Sequence, residues 1–315
     1  MTPPPAHRPF RFGVQVSSAT DRRTWIEMAR KLETLGYDTA TMPDHFNDQL
    51  APVPALQAIA DATTTLRFGA LVFDNDYKHP VVLAKELATL DVLSDGRLEI
   101  GLGAGWMISD YEQSGIPYDR PGVRVDRFVE GLQIIEGALA PGPFTFEGEH
   151  YRVTDYDGLP LPVQSPRPPI LIGGGGPRVL GIAARYADIV GINATLTAGA
   201  VGPDAISTMT AEAVDAKVDV VREAAGDRMT DIEMNVRVFM VSVTDDADTA
   251  SQGIADMIGV ERSMIDESPF ALVGPPSKLV DDLRARRERW GFSYVIVGPD
   301  EIDAFAPVVA ELAGT

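Results

Sequence analysis

Apolar residues recur along the chain in two alternating rhythms, short continuous runs and stretches spaced at helical intervals. Residues 11–16 read as a β-rich run after Pro9. Trp25, Met28, Ala29, Leu32 and Leu35 follow at offsets of 3, 4, 7 and 10, which places them on one helical face. Gly36 stands where a helix would stop, and residues 39–42 read as a second strand ended by Pro43. A helix over about 54–62 leads into a strand over 66–73. Pro80 then opens a helix carrying Leu83, Leu87 and Leu90, stopped near Gly96, and residues 98–102 give a fourth strand. After a gap the rhythm resumes with a strand over 169–172, a helix over 178–186 and a strand over 188–192. A helix with Met209, Ala213, Ala216 and Val220 on one face precedes a seventh strand within 234–243. A helix with Leu279, Val280, Leu283 and Trp290 precedes the eighth, over 294–297. A closing helix places Ile302, Phe305, Ala306, Val309 and Leu312 together.

The strands are too apolar for a sheet with one wet face, which points to parallel strands buried under helices. Eight β-α units predict an α/β protein of the closed (β/α)8 TIM-barrel class rather than an open sheet. The chain has 315 residues, and a barrel of this type needs about 250, so the surplus belongs in insertions. One falls after strand 4, over residues 106–122. The other, over 140–168 and before strand 5, contains a β-hairpin at 144–153. Neither can form its own core, so residues 1–315 read as a single domain, with a flexible N-terminal tail at 1–9.

Charge and composition narrow the partners. Lys+Arg 27 against Asp+Glu 46 gives a net charge of −19, the wrong sign for nucleic acid or an anionic membrane surface. There are no cysteines, which removes disulfides, thiolate metal sites and thiol nucleophiles. No run is long and apolar enough to span a bilayer, and the opening residues lack a secretory layout. A cytoplasmic protein is the expectation. The four histidines (His7, His45, His79 and His150) show no metal-clamp spacing, so no metal is expected.

In such barrels the site is built from loops at the carboxyl ends of the strands. Asp44 and His45 follow strand 2. Asp74, Asn75 and Asp76 follow strand 3 and read as turn or capping residues. Gly103, Ala104, Gly105 and Trp106 follow strand 4, and Trp106, Tyr111, Trp25 and Phe73 are candidates to line a pocket for a flat ring. Gly173, Gly174, Gly175 and Gly176 follow strand 5, with Pro177 at the first helical position and Arg178 beside it. Bare amides at that helix start could hold an anion, with Arg178 adding a charged contact; a plain β-α turn is the competing reading. His45 could act as a general acid or base, or be a structural histidine. His79 reads as a helix starter and His150 as exposed.

Taken in order, several of these phrases resemble the luciferase-like monooxygenase superfamily, over roughly Phe10 to Ala313. They are Phe12-Gly13-Val14, Pro43-Asp44-His45, Arg67-Phe68-Gly69-Ala70-Leu71-Val72, His79-Pro80, the run from Ser94 to Trp106, the run from Pro168 to Gly176, and Arg185-Tyr186-Ala187-Asp188. Within it the chain is most similar to the branch that uses coenzyme F420, a 5-deazaflavin. The resemblance implies an oxidoreductase passing hydride between deazaflavin and a small-molecule substrate, the ring lying across the barrel mouth near Ala104, Gly105 and Trp106. It implies a phosphate at Gly173–Gly176, Pro177 and Arg178, a cis bond near Leu71-Val72, an active-site histidine at His45 and a ring contact at Asp44. It also implies a homodimer and a separate reductase or dehydrogenase supplying reduced cofactor. A two-component FMN monooxygenase and a non-catalytic flavin-binding protein are the alternatives. In one respect the chain departs. Sugar-phosphate dehydrogenases of the superfamily carry a catalytic glutamate where this chain has Trp106, so the resemblance assigns no general acid.

Overall fold

Eight apolar runs close on one another in chain order. They are β1 (Arg11–Gln15), β2 (Thr39–Met42), β3 (Arg67–Ala70), β4 (Leu98–Gly103), β5 (Ile170–Gly174), β6 (Ile189–Ile192), β7 (Glu233–Arg237) and β8 (Phe292–Val297). All neighbours are parallel, and Phe12 registers with Val295 to shut the ring between β1 and β8. The computed structural model describes residues 8–196, 199–200 and 202–315; His7 and most of the expected N-terminal tail lie outside the described residues. The architecture is the (β/α)8 barrel expected.

Successive side chains on a strand point to opposite faces, and here the two faces are different cores. Leu98, Ile100, Ile172, Val190, Val295 and Val297 pack outward under the helices. Leu171, Ile189, Tyr294 and Ile296 form a separate cluster, with Leu71 and Val72 against it. These are the alternate positions of the same strands, so they fill the barrel. Below them the floor is ionic. Arg11 donates to Glu233 at 2.6 Å and Asp38 at 2.9 Å and pairs with Glu99, which also receives Arg67 at 2.8 Å. The Arg11 guanidinium lies 3.7 Å from the Tyr294 ring centroid. Burial alone would raise the Glu99 carboxyl; Arg11 and Arg67 override it and hold it below the ordinary range.

The helices begin where the chemistry at their first turns dictates. Asp21 accepts the Thr24 amide at 2.8 Å to cap α1 (Arg22–Thr34). Prolines open α2 (Pro52–Ala62) and α3 (Pro80–Leu93), and His79 caps α3 by accepting the Val81 amide, the helix-starting role expected. The insertion after β4 is not irregular: it holds α4 (Ile108–Ser114) before α5 (Pro121–Leu139). The second insertion carries an antiparallel hairpin of Phe144–Glu147 with Arg152–Tyr156, and His150 at its turn is half-buried rather than exposed. Next come α6 (Pro177–Tyr186), α7 (Pro203–Ser207) and α8 (Ala211–Ala225).

Three expectations need correction. The strand over 66–73 is broken: β3 stops at Ala70, a cis Leu71–Val72 bond follows, and Phe73–Asp74 pairs again with β4. The segment 234–243 is two strands, since Met240–Val243 leaves the barrel and pairs with Ala271–Gly274. Between them lie α9 (Ala247–Ile258) and α10 (Arg262–Glu267), a third insertion that the pattern did not separate from the barrel. On α8 the buried face is Ala211, Val214, Lys217, Val218 and Val221, not the one through Ala213 and Ala216. Lys217 is the reason: its ammonium bonds the carbonyls of Asn193 at 2.7 Å and Thr208 at 2.8 Å, so a charged residue occupies the inner face. Then α11 (Pro276–Trp290) and α12 (Ile302–Leu312) close the chain.

Candidate active site

A cavity of about 410 Å³ opens at the carboxyl ends of β2 to β6. Asp44, His45, Leu71, Val72, Ala104, Gly105, Trp106, Gly173, Gly174, Gly175, Gly176, Pro177 and Arg178 all line it, so the barrel brings the sequence-nominated residues to one place. Tyr111, Trp25 and Phe73 do not line it. Trp25 is core on α1, its indole N–H donating to the Ala55 carbonyl, and Phe73 is buried under the helices.

His45 stands on the loop after β2. Its Nδ1 is 2.6 Å from Asp110 Oδ2, and Asp110 is buried in the first turn of α4. The same carboxylate oxygen accepts the Tyr77 hydroxyl at 2.9 Å, and Oδ1 accepts the Phe46 amide at 3.3 Å. A carboxylate on Nδ1 favours the proton there and leaves Nε2 as the nitrogen available to a ligand. The Trp106 indole stands edge-on to the imidazole, centroids 5.7 Å apart. Asp110 was not legible from the sequence, because it lies 65 residues from His45 in a stretch without strong periodicity.

The glycine corner joins β5 to α6. A Cβ at Gly175 would fall 2.1 Å from the Ala194 carbonyl, so only glycine lets the β5 and β6 loops meet there. Thr195 donates its hydroxyl to the Gly175 carbonyl at 2.9 Å, and Lys217 pins the same β6 loop from below. Burial pushes that ammonium down to about 8. Gly176 caps α6 without a side-chain bond to its first amides, and free amides at a helix start favour an anion. Arg178, however, is committed at the rim to the Asp126 carboxylate and the Gly122 carbonyl. The buried cation is instead Arg124 on α5. It donates to the carbonyls of Asp119 at 2.6 Å and Gly105 at 3.3 Å and lies over the Tyr118 ring at 4.1 Å. Its Nε is buried without a partner, and among the described residues it forms no ion pair. An uncompensated guanidinium on the cavity wall fits an anionic group of a ligand.

Asp74 also lines the cavity and is 7% exposed. The turn expected at Asp74–Asp76 exists, since Asp74 Oδ1 accepts the Asp76 amide at 2.9 Å. Yet both carboxyls are also part of a buried network. Tyr111 Oη lies 3.0 Å from Asp74 Oδ2 and 3.1 Å from Asp76 Oδ2. Arg127 grips Asp76 with two bonds, at 2.7 and 2.8 Å. Burial, with the neighbouring Asp76 and Asp44 charges, pushes the Asp74 carboxyl up to about 7, and burial raises Asp44 as well. Gly105, at φ +72°, leaves room for this network: a Cβ there would fall 1.8 Å from the Tyr111 hydroxyl.

A (β/α)8 barrel with a histidine–carboxylate pair, a glycine-rich helix start and a cleft at the strand tips has the arrangement of a barrel enzyme. The luciferase-like monooxygenase family model matches residues 8–294, and the chain belongs to that family, as an enzyme of it. It is 26% identical over 257 residues to an FMNH2-dependent dimethylsulfone monooxygenase of Pseudomonas putida, covering 78% of this chain and 66% of the relative. It is 29% identical over 177 residues to an F420-dependent glucose-6-phosphate dehydrogenase of Amycolatopsis mediterranei, covering 53% of this chain and 52% of the relative. The chain thus spans between about half and two thirds of the length of these curated relatives. Among solved structures, the F420-dependent tetrahydromethanopterin reductase of Methanopyrus kandleri superposes with a TM-score of 0.78 at 21% identity, covering 97% of this chain and 99% of that one. Among the described residues no helix is long and apolar enough to cross a membrane.

Proposed function

We propose that this chain is an F420-dependent oxidoreductase that passes a hydride between the deazaflavin and a small organic substrate. One observation carries the reading: a single cavity joins the glycine corner, the uncompensated Arg124 and the His45–Asp110 pair. The corner amides and Arg124 would hold the cofactor phosphate, and the Leu71–Val72 segment with Trp106 would bound the ring. When bound, the deazaflavin supplies two-electron hydride chemistry. His45 takes or gives the accompanying proton at Nε2, while Asp110 and Tyr77 fix the imidazole.

A second reading, an FMN monooxygenase fed by a separate reductase, is favoured by the longer match to the dimethylsulfone enzyme, 257 residues against 177. Titration of the purified protein with F420 and with FMN, followed by fluorescence, tests both. Tight F420 binding with reduced cofactor indifferent to oxygen supports the first. Preferential FMN binding with oxygen consumption replaces it with the second, and binding of neither cofactor removes both.

A further inference from the structure

Counting protons around Tyr111 gives a result that distances alone do not. The phenol has one hydrogen, yet its oxygen sits within hydrogen-bonding reach of two carboxyl groups, Asp74 through Oδ2 at 3.0 Å and Oδ1 at 3.3 Å and Asp76 through Oδ2 at 3.1 Å. Both groups can make two-centre hydrogen bonds to the phenol only if one carboxyl supplies a proton of its own. Asp76 accepts two bonds from Arg127, which Asp119 also holds at 2.8 Å, so Asp76 is the acceptor of the pair. The phenol therefore donates to Asp76 and accepts from Asp74. The other charges around Asp74 agree. The Asp44 carboxylate accepts the Asp74 amide at 3.2 Å, and Asp110 with His45 lies on the adjoining wall. Lys78 is paired with Glu86 at 2.6 Å, and the Arg124 guanidinium lies 5.9 Å from the Tyr111 ring centroid, so among the described residues no cation is bonded to Asp74 itself.

We propose that Asp74 is held as a neutral carboxylic acid on the cavity wall and is the proton donor to the ligand bound there. This deepens the oxidoreductase reading and rests on it. It fills the role left open by Trp106, from strand 3 instead of strand 4. In the step, the Asp74 O–H turns from Tyr111 to the bound molecule and breaks, its electron pair staying on the carboxylate. The proton bonds to a lone pair on an oxygen or nitrogen of the bound molecule, whose hydride, where one is transferred, comes from the reduced deazaflavin or flavin. The carboxylate left behind is met by the Asp76 amide and by the Tyr111 hydroxyl, whose one hydrogen turns to it from Asp76, which keeps its two bonds from Arg127. Tyr111 thus acts as a positioning residue.

Infrared spectroscopy of the unliganded protein between about pH 5 and 9 tests the protonation without any cofactor. Wild type should show a carboxylic-acid carbonyl band that titrates near pH 7. Asp74→Asn should lose it, and Asp44→Asn should keep it with a lower midpoint. A wild-type protein with no such band at pH 6, or a band that survives in Asp74→Asn, overturns the proposal; the first outcome needs no variant to fold. Saturation with FMN or F420 should then shift the band, and an unmoved band overturns the donor role. Failure of both cofactors to bind while the band persists sinks the oxidoreductase reading and the donor role built on it, but leaves the protonation of Asp74 standing.

Discussion

His45 has one ring nitrogen committed and one available, and that division sets what its removal does. His45→Ala should lower turnover by about 10²–10⁴-fold, the usual worth of a positioned acid or base, while the cofactor Kd moves only a few-fold. Stopped-flow turnover beside fluorescence titration separates the two, and equal losses in both would refute the role. Asp110→Asn should release the imidazole from its fixed tautomer, visible as a change in the His45 ring nitrogen signals by NMR. His45 and the glycine corner were legible because both sit immediately after an apolar strand, where a barrel puts its chemistry. Asp110, Arg124 and the second role of Asp74 were not. Their partners lie 65 residues away, on carbonyls, or across a buried phenol, and no local spacing encodes such contacts.

The β5–α6 turn gives a matched pair of substitutions. Gly175→Ala drives a methyl into the Ala194 carbonyl and should push the β6 loop off the anion corner, weakening FMN or F420 binding at least tenfold. Gly176→Ala has no atom within 4 Å of the added carbon and ordinary backbone angles, so fold and stability should be unchanged. Comparing the two by cofactor titration and circular dichroism distinguishes lost contact geometry from general unfolding. Strands and helices with strong periodicity were read correctly from sequence. The failures fall where a long-range contact overrides the local pattern. Lys217 turns the inner face of α8 toward two loop carbonyls, and Met240–Val243 leaves the barrel because Ala271–Gly274 offers it another edge.

The barrel as a whole has charged groups at both ends with opposite responses to pH. At the floor, Glu99 is held below the ordinary range, so its contribution is present above an unfolded value of about 4.3 and is lost as pH falls through its lowered folded value. At the mouth, Asp74 is raised to about 7. Its contribution is complete below an unfolded value of about 3.9 and is lost as pH rises through about 7. Denaturant midpoints measured from pH 2 to 9 should therefore fall below about pH 4 through Glu99 and decline between about pH 4 and 7 through Asp74, and Asp74→Asn should flatten the second decline only. Arg11→Met leaves Glu99 and Glu233 facing each other without their shared cation and should cost about 3–5 kcal/mol, read from the same midpoints near neutral pH. A loss under 1 kcal/mol would mean that Arg67 alone neutralises the floor.

The cavity draws its walls from β2 to β6 and the loops beyond them, while the rim over β7, β8 and β1 takes no part among the described residues. That vacant arc carries Arg237, bonded to Gln15 at 2.8 Å, and beside it the outward-facing Phe239. The third insertion hangs from the same arc, starting at Met240. The residues that line the cavity are thereby confined to one half of the circle. Substitutions on the other half can therefore accumulate without touching the cavity wall.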